Sequence, residues 1–483
     1  MNLKMIFYTI GRIIGLEALL MILPLGVAMI YGEWNTALAF ALTAAGALAI
    51  CIGIYFLTRN HEKRIYAREG FVIVALAWLL MSAIGAVPFV LSGDISSYVD
   101  AFFEMVSGFT TTGASILGDV EALTHGALFW RSFSHFIGGM GVLVLMMAII
   151  PDEDGRSIHI MRAEMPGPVV DKIVPKVKNT AKILYLIYIA MTVVMTVMLC
   201  FGGMDLFESL THTFGTAGTG GFGIKADSLG SYSPYCQWVI TVFMLLFGVN
   251  FNLYYLFLIK RFTTAIKSEE LWAYIGIVTA SVALIAMNVA KMYSTVAETI
   301  RHSAFQVASI LTTTGYSSVD FDVWPGFSKA ILLMLMFVGG CAGSTAGGLK
   351  VSRVILMFKS IKCEISQMLH PRAITTVKFE GKPIDKSVRS GVGTYFTLYA
   401  ILLGFVFLII STEPFSIETN ISAAISCFNN IGPGFDAVGP MLSYGEYSGF
   451  AKVVLSFTML LGRLELYPIL LTLTPSTWAR KNK

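Results

Sequence analysis

Four glycines, Gly113, Gly220, Gly315 and Gly432, recur at intervals of 107, 95 and 117 residues. Each sits in a short loop: Thr110-Thr-Thr-Gly-Ala-Ser115, Ala217-Gly-Thr-Gly-Gly-Phe222, Thr312-Thr-Thr-Gly-Tyr-Ser317 and Asn429-Asn-Ile-Gly-Pro-Gly434. Glycine lets the backbone turn its carbonyls inward, and a set of inward carbonyl oxygens replaces the hydration shell of a cation. No Asp or Glu lies in any loop through the residue after its glycine, which favours a monovalent ion held by carbonyls over Ca²⁺ held by carboxylates. The residues assigned to this site are Thr111, Thr112 and Gly113, Thr219 and Gly220, Thr313, Thr314 and Gly315, and Asn430, Ile431 and Gly432.

A second constellation reads as an obstruction. The apolar stretch from about Ser328 to Phe358 would make one helix of ~46 Å, longer than the hydrocarbon needs. Its middle, Gly339 to Gly348, holds five glycines in ten residues. At ~1 kcal/mol of helix penalty per glycine, this segment is poised to unwind into a loop. Arg463, inside the last apolar span, needs a partner at that depth. The partners weighed are the carbonyls, Ser344 or Thr345 of the Gly-rich loop, and Glu465. The loop is favoured, because residues two apart on a helix do not face each other. Tight helix packing through small residues is the other reading of the glycines.

Such loops need membrane-embedded elements to hold them. Of 483 residues, 55% are hydrophobic and 13% charged, with a mean hydropathy of +0.73. Soluble domains carry roughly twice that share of charge. Around each loop the chain repeats one phrase: a full apolar span, a short half-apolar stretch, the loop, and a second full span. The units run Phe71–Leu91, Tyr98–Phe109 and Leu128–Ile150; Ile183–Phe201, Leu206–Phe214 and Trp238–Ile259; Leu271–Val289, Val296–Ile310 and Lys329–Phe358; Val392–Ile410, Ile417–Phe428 and Ala451–Leu473. The fold class expected is an all-α polytopic membrane protein: four pseudo-symmetric helix–pore-loop–helix repeats around one pore, behind an N-terminal transmembrane hairpin. The boundaries are 1–69 for the hairpin, then 70–160, 161–265, 266–365 (with the loop 339–350) and 366–483. The first apolar stretch reads as a retained helix, with no convincing cleavage site after it.

Charge sets the topology. Alternate polar segments hold 27 of the 34 basic residues, whereas 93–126, 202–234, 292–328 and 413–450 hold only Lys225 and Arg301 against fifteen acids. The basic side is the cytoplasmic one, so both termini lie inside and each short stretch is re-entrant. The acidic side concentrates cations at its mouth. No enzyme is expected: the seven histidines form no HExxH or similar pair, and no intramembrane Ser/His/Asp set can be placed. Gly218–Gly223 matches GxGxxG but follows an apolar half-helix instead of a strand opening a βαβ unit. Gly343–Lys350 resembles a P-loop only loosely, its Lys following Leu349 with no Ser or Thr directly after it. The six cysteines show no CxxC spacing and read as packing residues.

These motifs resemble the Trk/Ktr/HKT superfamily of potassium transporters, and its TrkH-type branch in particular. The resemblance rests on TTTGAS, TTTGYSS, GGMG at 138–141, Arg162-Ala-Glu-Met-Pro-Gly-Pro168, GGCAGSTAGGLK at 339–350, NNIGPG at 429–434 and LGRLEL at 461–466. It covers nearly the whole chain. It implies K⁺ as the transported ion, bound at the backbone carbonyls of the four loops, with no cofactor in this chain. It also implies gating by Gly343, Ser344, Thr345, Gly347, Gly348, Lys350 and Arg463. Further implications are a homodimer, a cytosolic TrkA-type nucleotide-binding regulatory subunit and a bacterial inner (plasma) membrane. Membrane lipid is the other partner, and nucleic acid is not one. Coupling to Na⁺ or H⁺ stays open as the alternative to passive flow, as does a less selective K⁺/Na⁺ pathway, because four unequal loops make fewer symmetric carbonyl rings.

Overall fold

The computed structural model describes residues 1–59, 66–141, 177–372 and 375–478. The end of the predicted span Leu128–Ile150, the 162–168 motif and most of the basic segment 151–182 fall outside these residues.

The chain opens with α1 (Leu3–Leu20), α2 (Ile22–Ile30) and α3 (Trp34–Thr58). Gly11 and Gly15 of α1 let it approach α3 so closely that a Cβ would press on Ile54 and Cys51 at 2.8 and 2.7 Å, the small-residue packing that membrane helices use. The first unit follows as α4 (Ala67–Ser92), α5 (Tyr98–Phe109) and α6 (His125–Gly139). The second comprises α7 (Val177–Phe201), α8 (Leu206–Gly218), α9 (Pro234–Phe247), α10 (Phe251–Leu258) and the short α11 (Phe262–Ile266). The third comprises α12 (Glu269–Val289), α13 (Val296–Leu311), α14 (Gly326–Val338) and α15 (Val351–Leu369). A small antiparallel hairpin, β1 (Lys378–Phe379) with β2 (Lys382–Pro383), leads to the fourth: α16 (Lys386–Ile410), α17 (Ile417–Asn429), α18 (Gly449–Arg463) and α19 (Tyr467–Leu473). Among the described residues, six helices, one of them the joined α1–α2 stretch, are long and apolar enough to cross a membrane. The bent pair α9–α10 makes a seventh if counted as one span.

The half-helices α5, α8, α13 and α17 have 12, 13, 16 and 13 residues. At 1.5 Å per residue that is ~18–24 Å, short of a ~30 Å hydrocarbon core. Each starts at a hydroxyl or carboxylate cap that accepts an amide hydrogen bond three residues on: Ser97 from Asp100, Asp205 from Glu208, Thr295 from Glu298 and Ser416 from Thr419. Substituting such a cap by Ala typically costs about 1 kcal/mol.

The packing is cyclic. The second span of each unit lies against the half-helix of the next: α6 on α8, α9 on α13, α14 on α17, and α18 back on α5. Two of these seams carry ion pairs at their outer ends, Lys329 to Glu418 at 3.1 Å and Lys452 to Asp100 at 2.7 Å. Four units therefore close a ring.

The structure corrects the second spans. The apolar pattern predicts continuous helices, with only the third unwinding, yet α9 stops at Phe247 and resumes at Phe251 after an 89° bend. The third stops at Val338 and resumes at Val351, and the fourth stops at Arg463 and resumes at Tyr467. α6 ends at Gly139, before Gly141 at φ +77°. A glycine lies at or beside each of these four helix ends (Gly138–Gly139, Gly248, Gly339–Gly340, Gly462).

Candidate functional site

All four half-helices end in the same way. The residues Thr111, Thr219, Thr313 and Asn430 adopt the left-handed conformation, with φ of 55°, 58°, 57° and 56°. One residue later, an amide turns back across the helix end: Thr112 to Ser107 (2.8 Å), Gly220 to Gly215 (2.8 Å), Thr314 to Ser309 (2.8 Å) and Ile431 to Ser426 (3.0 Å). This is the 6→1 closure of a Schellman motif, in which glycine, or sometimes Asn, normally takes the left-handed position. A β-branched residue there is an outlier costing ~1–2 kcal/mol. Three of them at equivalent positions mark a strained turn that the surrounding structure holds in place, and at Thr313 the side-chain oxygen accepts from the Gly347 amide.

One residue further, the backbone is again left-handed, at Gly113 (φ +81°), Gly221 (+71°), Gly315 (+82°) and Gly432 (+103°). This corrects the register of the second loop. Sequence spacing aligns Gly220 with the other three marker glycines, but its structural counterparts are Thr112, Thr314 and Ile431, and Gly221 takes the glycine position. Two adjacent glycines hide this distinction in the sequence.

These four glycines are required by a neighbour as well as by φ. A Cβ on Gly113 would strike the carbonyl oxygen of Gly220, one on Gly221 that of Thr314, and one on Gly315 that of Ile431; on Gly432 it would lie 2.7 Å from that of Thr112. Every struck oxygen belongs to the residue just before the next glycine, and the circuit runs through units one, two, three and four and back to one. The same four glycines line one cavity of about 380 Å³, which also meets Ser115, Arg131, Lys225 and Glu446. Half-helix C-termini, each carrying roughly −0.5 charge, stand behind the ring and favour a cation within it.

Two flanking features were not read from the sequence. Glu104 and Arg131 form an ion pair at 2.7 Å with side chains 0% and 1% exposed. Glu104 also accepts from the Ile116 amide at 3.0 Å and the Ser115 hydroxyl at 3.0 Å, while Arg131 donates to the Gly223 carbonyl at 3.3 Å and stacks over Phe222. The pair thus ties the first loop to the second. His135 bridges the same seam, with Nδ1 2.7 Å from the Gly108 carbonyl and Nε2 accepting from the Phe222 amide at 3.3 Å. Charges inside apolar segments are the signal that exposes such residues. At the outer rim, the hydroxyls of Ser416 and Thr419 donate to Asp436 and hold its carboxyl below the usual range, so it stays ionised there.

The Gly-rich loop presses on the other end of the ring. The Gly347 amide donates to Thr313 Oγ1 at 2.7 Å, and the Gly348 amide to the Asn429 carbonyl at 3.1 Å. A Cβ on Gly347 would meet that same carbonyl at 2.5 Å. The loop is anchored to the break in the second unit, where the Cys341 amide donates to the Gly248 carbonyl (2.9 Å) and the Phe251 amide to the Gly343 carbonyl (3.0 Å). Arg463 donates to the Thr345 carbonyl at 3.0 Å, so it does reach the loop. It also reaches the carbonyls of Gly138 and Gly139, a contact with the GGMG motif that spacing did not reveal. Glu465, the rival partner, pairs with Arg353. Lys350, at φ +74°, donates to the Ala346 carbonyl within the loop, and Ser344 donates to the Cys341 carbonyl at 2.6 Å. A small cavity of about 60 Å³ lies between this loop, Trp78, Phe251 and Gly139–Gly141.

Four re-entrant half-helices closing a ring of loops within a multi-pass membrane chain define a pore-loop membrane protein. The family model of TrkH, described as a cation transport protein, matches residues 38–480, and the chain belongs to that transporter family. It is 36% identical to the Trk system potassium uptake protein TrkH of Escherichia coli K12 over 482 residues, covering 98% of this chain and 99% of that protein. It is 32% identical to TrkG, another Trk system potassium uptake protein of the same organism, covering 99% of each. Among solved structures, that of the potassium transporter TrkH from Vibrio parahaemolyticus superposes with a TM-score of 0.88 at 31% identity, covering 99% of this chain and 100% of that one.

Proposed function

We propose that this protein takes up potassium across a bacterial inner membrane through the ring of four loops, and that residues 339–350 gate it from below. The observation that carries this reading is the closed circuit of left-handed glycines, each seated against the carbonyl of the next unit, with the Gly-rich loop bonded to Thr313 on the opposite end. The filter consists of Thr111, Thr112, Gly113, Thr219, Gly220, Gly221, Thr313, Thr314, Gly315, Asn430, Ile431 and Gly432, with K⁺ held by their backbone oxygens. Gly343, Ser344, Thr345, Gly347, Gly348, Lys350 and Arg463 form the gate. Relatives named as Trk system proteins support an assembly with a regulatory subunit, here a TrkA-type nucleotide-binding partner on the cytoplasmic side; the homodimer rests on the resemblance of the motifs alone. The skew of basic residues supports cytoplasmic termini.

The test is growth of a potassium-uptake-deficient bacterium at low K⁺, with the parent and with Gly113→Ser. The parent restores growth. The serine, placed at φ +81° against the Gly220 carbonyl, distorts the ring and makes the cells sensitive to Na⁺. A parent that fails to rescue, or a serine variant with unchanged discrimination, removes this assignment.

A further inference from the structure

Glu270 is a buried acid, 5% exposed, in the first turn of α12. None of the filter or gate residues named above explains it. One of its oxygens, Oε1, accepts from two amides: that of Ala342 at 2.8 Å and that of Ser352 at 3.0 Å. Ala342 lies near the start of the Gly-rich loop, and Ser352 lies just past its end, in the first turn of α15. A single carboxylate oxygen therefore clasps the two ends of the loop together. Its carboxyl also sits at the N-terminus of α15, where the helix dipole favours an acidic group. The clasp is reinforced by the Val351 amide, which donates to the Gly340 carbonyl at 3.0 Å.

Glu270 is itself positioned from the side of the small β-hairpin. At the hairpin tip, Glu380 accepts from the Ser268 hydroxyl at 2.9 Å and from the Glu270 backbone amide at 3.2 Å. Ser268 is the N-cap of α12, so Glu380 completes the start of the helix that carries Glu270. Lys359 of α15 holds the hairpin in place by donating to the Lys378 carbonyl at 2.7 Å while pairing with Glu269. The linkage runs from hairpin to α12, and from α12 to both ends of the loop. It is separate from Arg463, which grips the middle of the loop at Thr345.

We propose that Glu270 is a positioning residue that staples the ends of the gate loop, and that the β-hairpin sets this staple through Glu380. Displacing the hairpin then frees the loop ends and raises flux without touching the filter. The inference rests on the gating role proposed above.

The experiment uses the full chain in proteoliposomes and two readouts. One is ⁸⁶Rb⁺ uptake. The other is the rate at which a maleimide labels native Cys341, which is fully buried in the loop, followed by mass spectrometry of its peptide. Losing two hydrogen bonds to a charged acceptor should raise Cys341 labelling and uptake by about 100-fold or more in Glu270→Ala. Glu270→Gln keeps an acceptor oxygen and should stay near the parent, a rescue that general loosening of α12 would not show. Glu380→Ala should shift both readouts in the same direction by a smaller factor, and it decides the matter if Glu270→Ala does not fold. Unchanged Cys341 labelling in the folded alanine variants overturns the staple. Failure of the gating role is read separately, as unchanged uptake after deletion of residues 343–347.

Discussion

Arg463→Ala should raise resting Rb⁺ flux through the reconstituted protein by about 10- to 100-fold. The guanidinium donates to the Thr345 carbonyl at 3.0 Å, to the Gly139 carbonyl at 3.0 Å and to the Gly138 carbonyl. It thereby joins the obstructing loop of the third unit to the helix break of the first from a position in the fourth. A hydrogen bond from a charged donor contributes about 1.5–3 kcal/mol. Losing the one to Thr345 shifts a closed-to-open equilibrium by one to two powers of ten, since 1.4 kcal/mol is a factor of ten. Lysine should restore only part of the effect, because a single ammonium cannot span carbonyls that the planar fork reaches together. Stopped-flow Tl⁺ entry into dye-loaded vesicles measures the change. Flux equal to the parent's, from protein that elutes normally, would show that Arg463 does not hold the pathway shut.

The second large effect belongs to Glu104. Its removal leaves Arg131 buried at 1% exposure with no countercharge, a situation that costs about 3–5 kcal/mol. It also strips acceptors from the Ile116 amide and the Ser115 hydroxyl, which hold the outer end of the first loop. Glu104→Ala should therefore lower the melting temperature markedly and widen the pathway to Na⁺. The double variant Glu104→Gln, Arg131→Met removes both charges and should recover much of the stability, because the penalty comes from the unpaired ion. Melting in detergent followed by size-exclusion fluorescence, with flux ratios for K⁺ and Na⁺, reads both effects. A Glu104→Ala protein as stable and as selective as its parent would mean that the pair does not support the loop.

Much of this architecture can be read in the residues because its signals are local. The half-helices declare themselves by length and by the caps Ser97, Asp205, Thr295 and Ser416, which satisfy helix-start amides wherever they occur. The glycines at 113, 315 and 432 stand alone in their loops up to that position, so their register is unambiguous. Gly220 and Gly221 are adjacent, and only the left-handed Thr219 shows which of them faces the cavity. The breaks after Phe247 and Arg463 are marked only by single glycines and a few polar residues (Gly248 and Asn250, Gly462 and Glu465) within longer apolar runs, and hydropathy carries no information on φ. The Gly-rich stretch escapes this limit only through its five glycines. Arg463 can be flagged by depth alone, yet its contact with Gly138 and Gly139 joins residues over three hundred positions apart. The Glu104–Arg131 pair and the double acceptance by Glu270 need both partners placed in space.

The most direct measurement is an anomalous difference map from crystals grown in Tl⁺, an ion that substitutes for K⁺. Density is expected on the axis of the loops, between the residues from Thr111 to Gly113, Thr219 to Gly221, Thr313 to Gly315 and Asn430 to Gly432. Tl⁺ density confined to other parts of the membrane region, with none inside that ring, would contradict a pathway through the four loops.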